Sequence, residues 1–81
     1  MEVRFPKVMG RKLDGIITEL HVDEGASVNI HERLFSYETS KMASSMNSPA
    51  SGTVHWLISK GDMVKFDQPV LVITIDNDSE R

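Results

Sequence analysis

The sequence predicts an all-β fold in which two sheets pack against each other as a sandwich. Three observations carry this prediction: apolar residues with period-two or β-branched spacing, glycines at the predicted turns, and an internal repeat. The chain has 81 residues, which corresponds to one small domain. A domain of this size has little room for an active-site cleft beside its core, which favours a binding or carrier module over a complete enzyme.

The first third of the chain contains two predicted strands. Val3 and Phe5 mark a short first strand that is stopped by a proline. Ile16, Leu20 and Val22 have even spacing, which indicates a second strand with these side chains on one face.

The segment 31–46 contains the best helical candidate, because Met42 and Met46 are four residues apart. The apolar residues before Met42 do not continue this stripe, and the two serines between the methionines are indifferent helix formers. We therefore predict two strands here, over 34–39 and 42–46.

Two further strands follow. In 53–58, Val54, Trp56 and Ile58 share one face, and 70–75 is a β-branched run with a buried face. The loop 48–52 contains a proline that fixes φ and a glycine that tolerates positive φ.

The chain repeats itself at an offset of 36 residues. Apolar positions match in five pairs: Val28 with Val64, Ile30 with Phe66, Leu34 with Val70, Phe35 with Leu71, and Tyr37 with Ile73. Two copies are too few for a solenoid, but two four-strand units can pack face to face with pseudo-twofold symmetry.

Composition and charge exclude several classes of function. The absence of cysteine excludes disulfides, thiolate metal sites and a cysteine nucleophile, and the three histidines lack a metal-ligand spacing. The net charge of −3 argues against nucleic acid or an anionic membrane as the partner. We also find no convincing Ser/His/Asp set, no signal peptide and no membrane-spanning stretch. We expect a location in the cytoplasm, or in the mitochondrial matrix if a targeting peptide has been removed.

One lysine has a distinctive setting. Lys41 follows the strand 34–39 and precedes the strand 42–46, so we predict that it lies at the tip of a tight hairpin away from the termini. Its neighbours Thr39 and Ser40 are small and polar.

These features together resemble the biotinyl/lipoyl attachment family over about residues 3–75. The resemblance rests on Gly15–Gly25, on Leu34–Lys41, and on the downstream Ser48-Pro49-Ala50-Ser51-Gly52. It implies a flattened barrel-sandwich hybrid of two four-stranded antiparallel sheets, with a pseudo-twofold internal repeat. It also implies a covalently attached cofactor on Lys41.

Two branches of this family are open alternatives. Lipoyl domains resemble Glu-Thr-Asp-Lys-Ala around the modified lysine, and biotinyl domains resemble Met-Lys-Met. This chain has Glu38-Thr39-Ser40-Lys41-Met42, so Glu38 and Thr39 favour lipoate whereas Met42 is the biotin-like element. Segment 7–14 is similar to the surface loop of lipoyl domains, which in that architecture lies near the lysine and contributes to partner recognition. We therefore expect lipoate on Lys41, with biotin or an unmodified structural module as alternatives.

The lipoyl resemblance implies a domain over 1–76, followed by a polar tail or the start of a linker at 77–81. It implies a non-catalytic swinging-arm carrier that accepts acyl groups, either free-standing or as part of a dihydrolipoamide acyltransferase. Its partners would be a lipoate-attaching ligase or transferase and the E1, E2 and E3 components of a 2-oxoacid dehydrogenase complex. Glu38, Thr39, Ser40 and Met42 are the residues we expect the ligase to recognise.

Overall fold

The computed structural model describes residues 1–75, which form eight β-strands. The strands are β1 (Glu2–Arg4), β2 (Gly15–Leu20), β3 (Ser27–Val28), β4 (Arg33–Glu38), β5 (Ala43–Asn47), β6 (Gly52–Trp56), β7 (Met63–Val64) and β8 (Pro69–Ile75). In this part of the chain there is no helix long and apolar enough to cross a membrane. The predicted tail 77–81 lies outside the described residues.

The strands form two antiparallel four-stranded sheets that enclose one core. One sheet has the order β1-β8-β6-β3, and the other has the order β5-β4-β2-β7. The two halves of the chain are β1–β4 and β5–β8. Replacing β1 by β5, β8 by β4, β6 by β2 and β3 by β7 converts the first order into the second. The predicted all-β fold with a pseudo-twofold repeat is thus confirmed. Each sheet contains two strands from each half, however, so the halves interlock instead of forming one four-stranded layer each.

Backbone hydrogen bonds repeat with the same symmetry. The amide of Gly25 donates to the Val54 carbonyl at 2.8 Å, and the amide of Gly61 donates to the Ile17 carbonyl at 2.7 Å. Both glycines have positive φ, at 81° and 92°, which a residue with a side chain rarely adopts. Each turn is therefore fastened to a strand from the opposite half of the chain.

The core consists of apolar side chains from both sheets. Among residues 1–75, thirteen are buried: Val3, Phe5, Val8, Ile17, Val28, Leu34, Phe35, Tyr37, Val54, Val64, Val70, Leu71 and Ile73. Partly buried Trp56 and Ile58 pack against them, as the spacing in 53–58 predicts. Phe5 and Tyr37 meet edge to face with ring centroids 5.0 Å apart, which joins the first strand to the second sheet.

The prediction that Ile16 shares a face with the later apolar residues of its strand is wrong. Ile17 is fully buried, whereas Ile16 is 43% exposed. The pairing between β2 and β4 shifts register between Ile17 and Glu19. This bulge adds one residue to β2, so Ile17 and Leu20 both contribute to the core although their spacing is odd.

Gly52 does not make use of the tolerance of glycine for positive φ, because only Gly10, Gly25 and Gly61 among the described glycines have positive φ. Gly52 is needed for a different reason. A Cβ atom there would lie 2.3 Å from the Thr74 carbonyl oxygen. The glycine therefore allows β6 and β8 to approach each other closely.

Candidate functional site

The turn between β4 and β5 is held together by one threonine. The backbone amide of Thr39 donates to the Met42 carbonyl at 2.8 Å. Its hydroxyl oxygen accepts from the amides of Lys41 and Met42 at 3.1 and 3.2 Å, and donates to the Met42 carbonyl at 3.1 Å. This arrangement pairs the amides of Thr39, Lys41 and Met42 and the carbonyl of Met42 within the turn itself. The predicted tight hairpin is confirmed.

Lys41 lies at the tip of this turn and is exposed. Within residues 1–75 its ammonium group makes no hydrogen bond and no ion pair. A primary amine on a flexible four-carbon stem, held by a fixed turn and accessible from outside, is suited to covalent modification. The geometry fits a group attached through an amide at Nζ.

Three other predicted residues surround the lysine. Glu38 ends β4 opposite Ala43, and Ser40 and Met42 flank the lysine directly. All three are exposed, with Met42 at 37%, so a modifying enzyme that approaches Lys41 can contact each of them. Their recognition by a ligase stays a prediction.

The hairpin lies at the opposite end of the sandwich from Ile75. Ile75 pairs with Gly52 at the start of β6. Ser48, four residues before Gly52, donates its amide to the carbonyl of Glu32, immediately before β4. The end of β8 therefore lies beside the beginning of β4, whereas Lys41 follows the end of β4. This confirms the position predicted for the hairpin.

The strand that leads to the hairpin is well supported. β4 is an inner strand between β5 and β2, and Leu34, Phe35 and Tyr37 bury their side chains in the core. On its outer face Ser36 Oγ lies 2.9 Å from Ser45 Oγ in β5 and 2.7 Å from His21 Nε2. No carboxylate in residues 1–75 bonds to the other nitrogen of His21, so this serine–histidine pair lacks the third member of a catalytic triad.

The loop 7–14 is an insertion relative to the other half of the chain. Eight residues separate Pro6 from Gly15, whereas two separate Pro49 from Gly52. The symmetry of the hydrogen bonds makes these segments equivalent: the amide of Asp67 donates to the Phe5 carbonyl, just as the amide of His31 donates to the Ser48 carbonyl. The first half thus carries six additional residues.

This insertion has its own fixed conformation. Val8 and Arg11 exchange two backbone hydrogen bonds of 2.9 Å, and Met9 and Gly10 between them have φ of 53° and 72°. Two positive φ angles define a type I′ turn, which usually contains asparagine and glycine. Val8 is 2% exposed and anchors the turn to the core, whereas Met9 is 67% exposed. The turn therefore holds a methionine side chain outward in a strained backbone conformation.

The insertion lies next to the lysine. Met9 and Arg11 line a surface depression together with Lys41. The expectation that the loop lies near this lysine is therefore confirmed, and its part in partner recognition stays a prediction. The strained turn of Met9 was missed, because Met-Gly is not a usual hairpin signal.

A second cavity, of about 310 Å³, borders the turn at Thr39 and Ser40. Its lining residues are Asp14, Gly15, Ile16, Glu38, Thr39, Ser40 and Met63. The apolar side chains that line it are Ile16 of β2 and Met63 of β7. Ser40, the residue before Lys41, also lines it. Sequence reasoning missed this cavity because it assigned Ile16 to the same face as core residues.

One carboxyl group has a shifted pKa. The backbone amide of Trp56 donates to Glu24 at 2.8 Å and thereby lowers the pKa of that carboxyl, as does a contact of 3.1 Å with His55 Nδ1. Both partners belong to β6, in the sheet that does not contain the hairpin. No cluster of three or more metal-ligating side chains occurs in residues 1–75. Glu24 and His55 therefore affect the stability of the fold and do not form part of the surroundings of Lys41.

The chain matches a known protein family. The family model Biotin_lipoyl, described as "Biotin-requiring enzyme", covers residues 1–76. No curated protein matches the chain. Members of this family carry biotin or lipoate covalently on a lysine and are generally carrier domains within enzymes. A match over nearly the whole chain, with an exposed lysine at a hairpin tip, shows that this chain belongs to the biotin/lipoyl attachment domain family.

Proposed function

We propose that the chain is a lipoyl carrier domain and that Lys41 is its attachment site. The observation that carries the proposal is the exposed ammonium group of Lys41, which has no bonding partner within residues 1–75, at the tip of a turn fixed by Thr39. The sequence Glu38-Thr39 before the lysine and the six-residue insertion beside it support the lipoyl branch.

Attachment requires only modest chemistry from this chain. Nζ of Lys41, as the free amine, forms an amide with a lipoate carboxyl group that the attaching enzyme has activated, and a proton and the activating group leave. The chain presents the amine and keeps the turn rigid, so the enzyme need not order a flexible segment. When bound, the dithiolane supplies the acyl-accepting and redox chemistry.

The partners we propose are a lipoate-attaching ligase or transferase and the components of a 2-oxoacid dehydrogenase complex, in the cytoplasm or the mitochondrial matrix. A lysine on a hairpin, far from the other end of β4, can enter an active site while the sandwich stays outside. Tethering the arm to a domain within the complex raises its effective concentration at each active site.

Biotin is the second candidate, because Met42 follows the lysine as in biotinyl domains. The two cofactors share the same attachment chemistry, so the geometry of the turn accommodates either. The distinction rests on recognition by the attaching enzyme, and it can be measured directly.

The experiment is intact-mass analysis of the chain after co-expression with a lipoate ligase or, separately, with a biotin ligase. We expect the lipoyl mass increment in the wild type, its loss in Lys41→Arg, and its retention in Lys65→Arg, which alters another exposed lysine. Circular dichroism of each variant confirms that the fold is kept. A biotin increment alone, with retention on avidin, supports the second candidate. No increment with either ligase in a folded protein refutes both.

A further inference from the structure

The surface of β2 and β7 near the Lys41 hairpin exposes two large apolar side chains. Ile16 in β2 and Met63 in β7 are directly opposite each other in the pairing of the two strands. They are 43% and 66% exposed, and both line the cavity of about 310 Å³ that Ser40 also borders. Exposed apolar pairs of this kind often indicate a binding surface.

The pseudo-twofold symmetry provides an internal comparison. The pair in the other sheet that corresponds to Ile16 and Met63 is Thr53 and Ser27, which are likewise directly opposite each other, in β6 and β3. The fold therefore accepts two small polar residues at this position. The apolar pair occurs only in the sheet that carries the lysine hairpin, so sheet formation does not explain it.

We propose that Ile16 and Met63 form a docking site for the acyl arm carried on Lys41 of the same molecule. This inference rests on the proposed function, because it requires an arm on that lysine. Ser40 lines the cavity and directly precedes Lys41, so the lysine that would carry the arm is one residue away in the chain from the edge of the cavity.

Charge supports this occupant. Glu38 and Asp14 border the cavity and disfavour an anion, whereas an arm linked through an amide has lost both the carboxylate charge of the acid and the ammonium charge of the lysine. A neutral chain of methylene groups ending in an apolar ring matches two apolar side chains. Attachment also makes docking intramolecular, so a weak contact is populated without free ligand.

Docking would divide the arm between a resting position against β2 and β7 and an extended position. A partner active site that binds the extended arm shifts this equilibrium. The contact therefore has to be weak, which agrees with a cavity that remains open to solvent and not enclosed by the core.

The test uses the full chain labelled with ¹³C at the methionine methyl groups, with and without lipoylation confirmed by intact mass. We expect the Met63 methyl signal to shift on lipoylation and to show nuclear Overhauser effects to the arm, while Met1 stays unchanged. The variant Ile16→Thr/Met63→Ser installs the residues of the other sheet. In it, reduction of the attached dithiolane by a phosphine should become at least about twofold faster, because the docked fraction is lost.

The matched control is Ser27→Met/Thr53→Ile, which places the same apolar pair in the sheet without the hairpin. We expect its reduction rate to equal that of the wild type. An unshifted Met63 methyl in fully lipoylated protein, with equal reduction rates in all three chains, overturns the proposal. A Met63 shift seen only on addition of an E1 component would also overturn it, in favour of docking by the partner.

A second measurement separates this proposal from the proposed function. Lipoamide, a neutral amide of the same arm, is titrated into the unmodified chain while the Met63 methyl is observed. A saturable shift that disappears in Ile16→Thr/Met63→Ser supports the site even if no ligase modifies Lys41. If the Met63 methyl signal does not shift in this titration, and also does not shift in the lipoylated chain where attachment succeeds, the docking site is refuted. The result on attachment to Lys41 is unaffected by that outcome.

Discussion

The close approach of β6 and β8 at Gly52 makes Gly52→Ala the sharpest test of the fold. The added Cβ would lie 2.3 Å from the Thr74 carbonyl oxygen and 2.8 Å from Ile73 Cγ2. Ordinary van der Waals contact begins at 3.4 Å, so the strands would have to separate by about 1.1 Å at this point. The nearest atom belongs to the backbone, so no side-chain rotation relieves the clash.

The expected cost follows from this geometry. Overpacking typically costs about 1–3 kcal/mol, and a clash with backbone places this site near the upper value. Replacing glycine by alanine regains about 0.5–1 kcal/mol by restricting the unfolded chain. We therefore expect a net loss of about 2 kcal/mol, which for a domain of this size lowers the melting temperature by roughly 10 °C.

Thermal unfolding followed by far-ultraviolet circular dichroism and by Trp56 fluorescence measures this change. Gly61→Ala is the matched control: its φ of 92° strains an alanine, but a Cβ there meets nothing within 4 Å. We expect it to cost about 1 kcal/mol, from strain alone. The hairpin of Lys41 joins two strands of the other sheet, so folded Gly52→Ala should still be modified. A melting temperature for Gly52→Ala within about 2 °C of the wild type would refute the steric reasoning.

Three further predictions concern the hairpin, the insertion and the shifted carboxyl. Thr39→Val removes the hydroxyl that accepts from two amides, so hydrogen exchange at the amides of Lys41 and Met42 should accelerate, with a stability loss of about 1 kcal/mol; unchanged exchange would show that the turn does not depend on this side chain. Met9→Asn suits the left-handed conformation better and should raise the free energy of unfolding in urea by about 0.5–1 kcal/mol, and a decrease would contradict the strain assigned to Met9. The lowered pKa of Glu24 means that its contribution to stability is fully present above its ordinary value of 4.5 and is lost as the pH falls through the lowered value. In Glu24→Gln, urea unfolding at pH 7 and at pH 3 should therefore show a smaller loss of stability on acidification than in the wild type, and an equal loss would show that this carboxyl is not involved.

The positions of six of the eight strands and of the hairpin were predictable from sequence, because they depend on local patterns; the two-residue strands β3 and β7 were not predicted. The alternation in 53–58 and the β-branched run in 70–75 describe strands that exist, and the turn at Lys41 follows from two adjacent strands with polar residues between them. The repeat at an offset of 36 residues correctly indicated pseudo-twofold symmetry.

The errors arose where long-range pairing decides the outcome. Ile16 points outward because β2 carries a bulge against β4, and no periodicity within 16–22 shows that bulge. The role of Gly52 depends on Thr74, which is distant in sequence. The exchange of strands between halves is equally invisible, because the same apolar pattern suits either arrangement.

The pairing of β1 with β8 has a consequence for how the carrier is made in a cell. In the sheet order, β8 is the neighbour of β1, and the amino group of Met1 donates to the Ile73 carbonyl at 2.7 Å. Within this domain, the first strand to be synthesised thus pairs only after the last strand has been made, and a topology of such distant partners folds slowly compared with one of local contacts. Lys41 emerges well before its platform is complete, so an enzyme that requires the finished sandwich acts only after translation has passed Ile75.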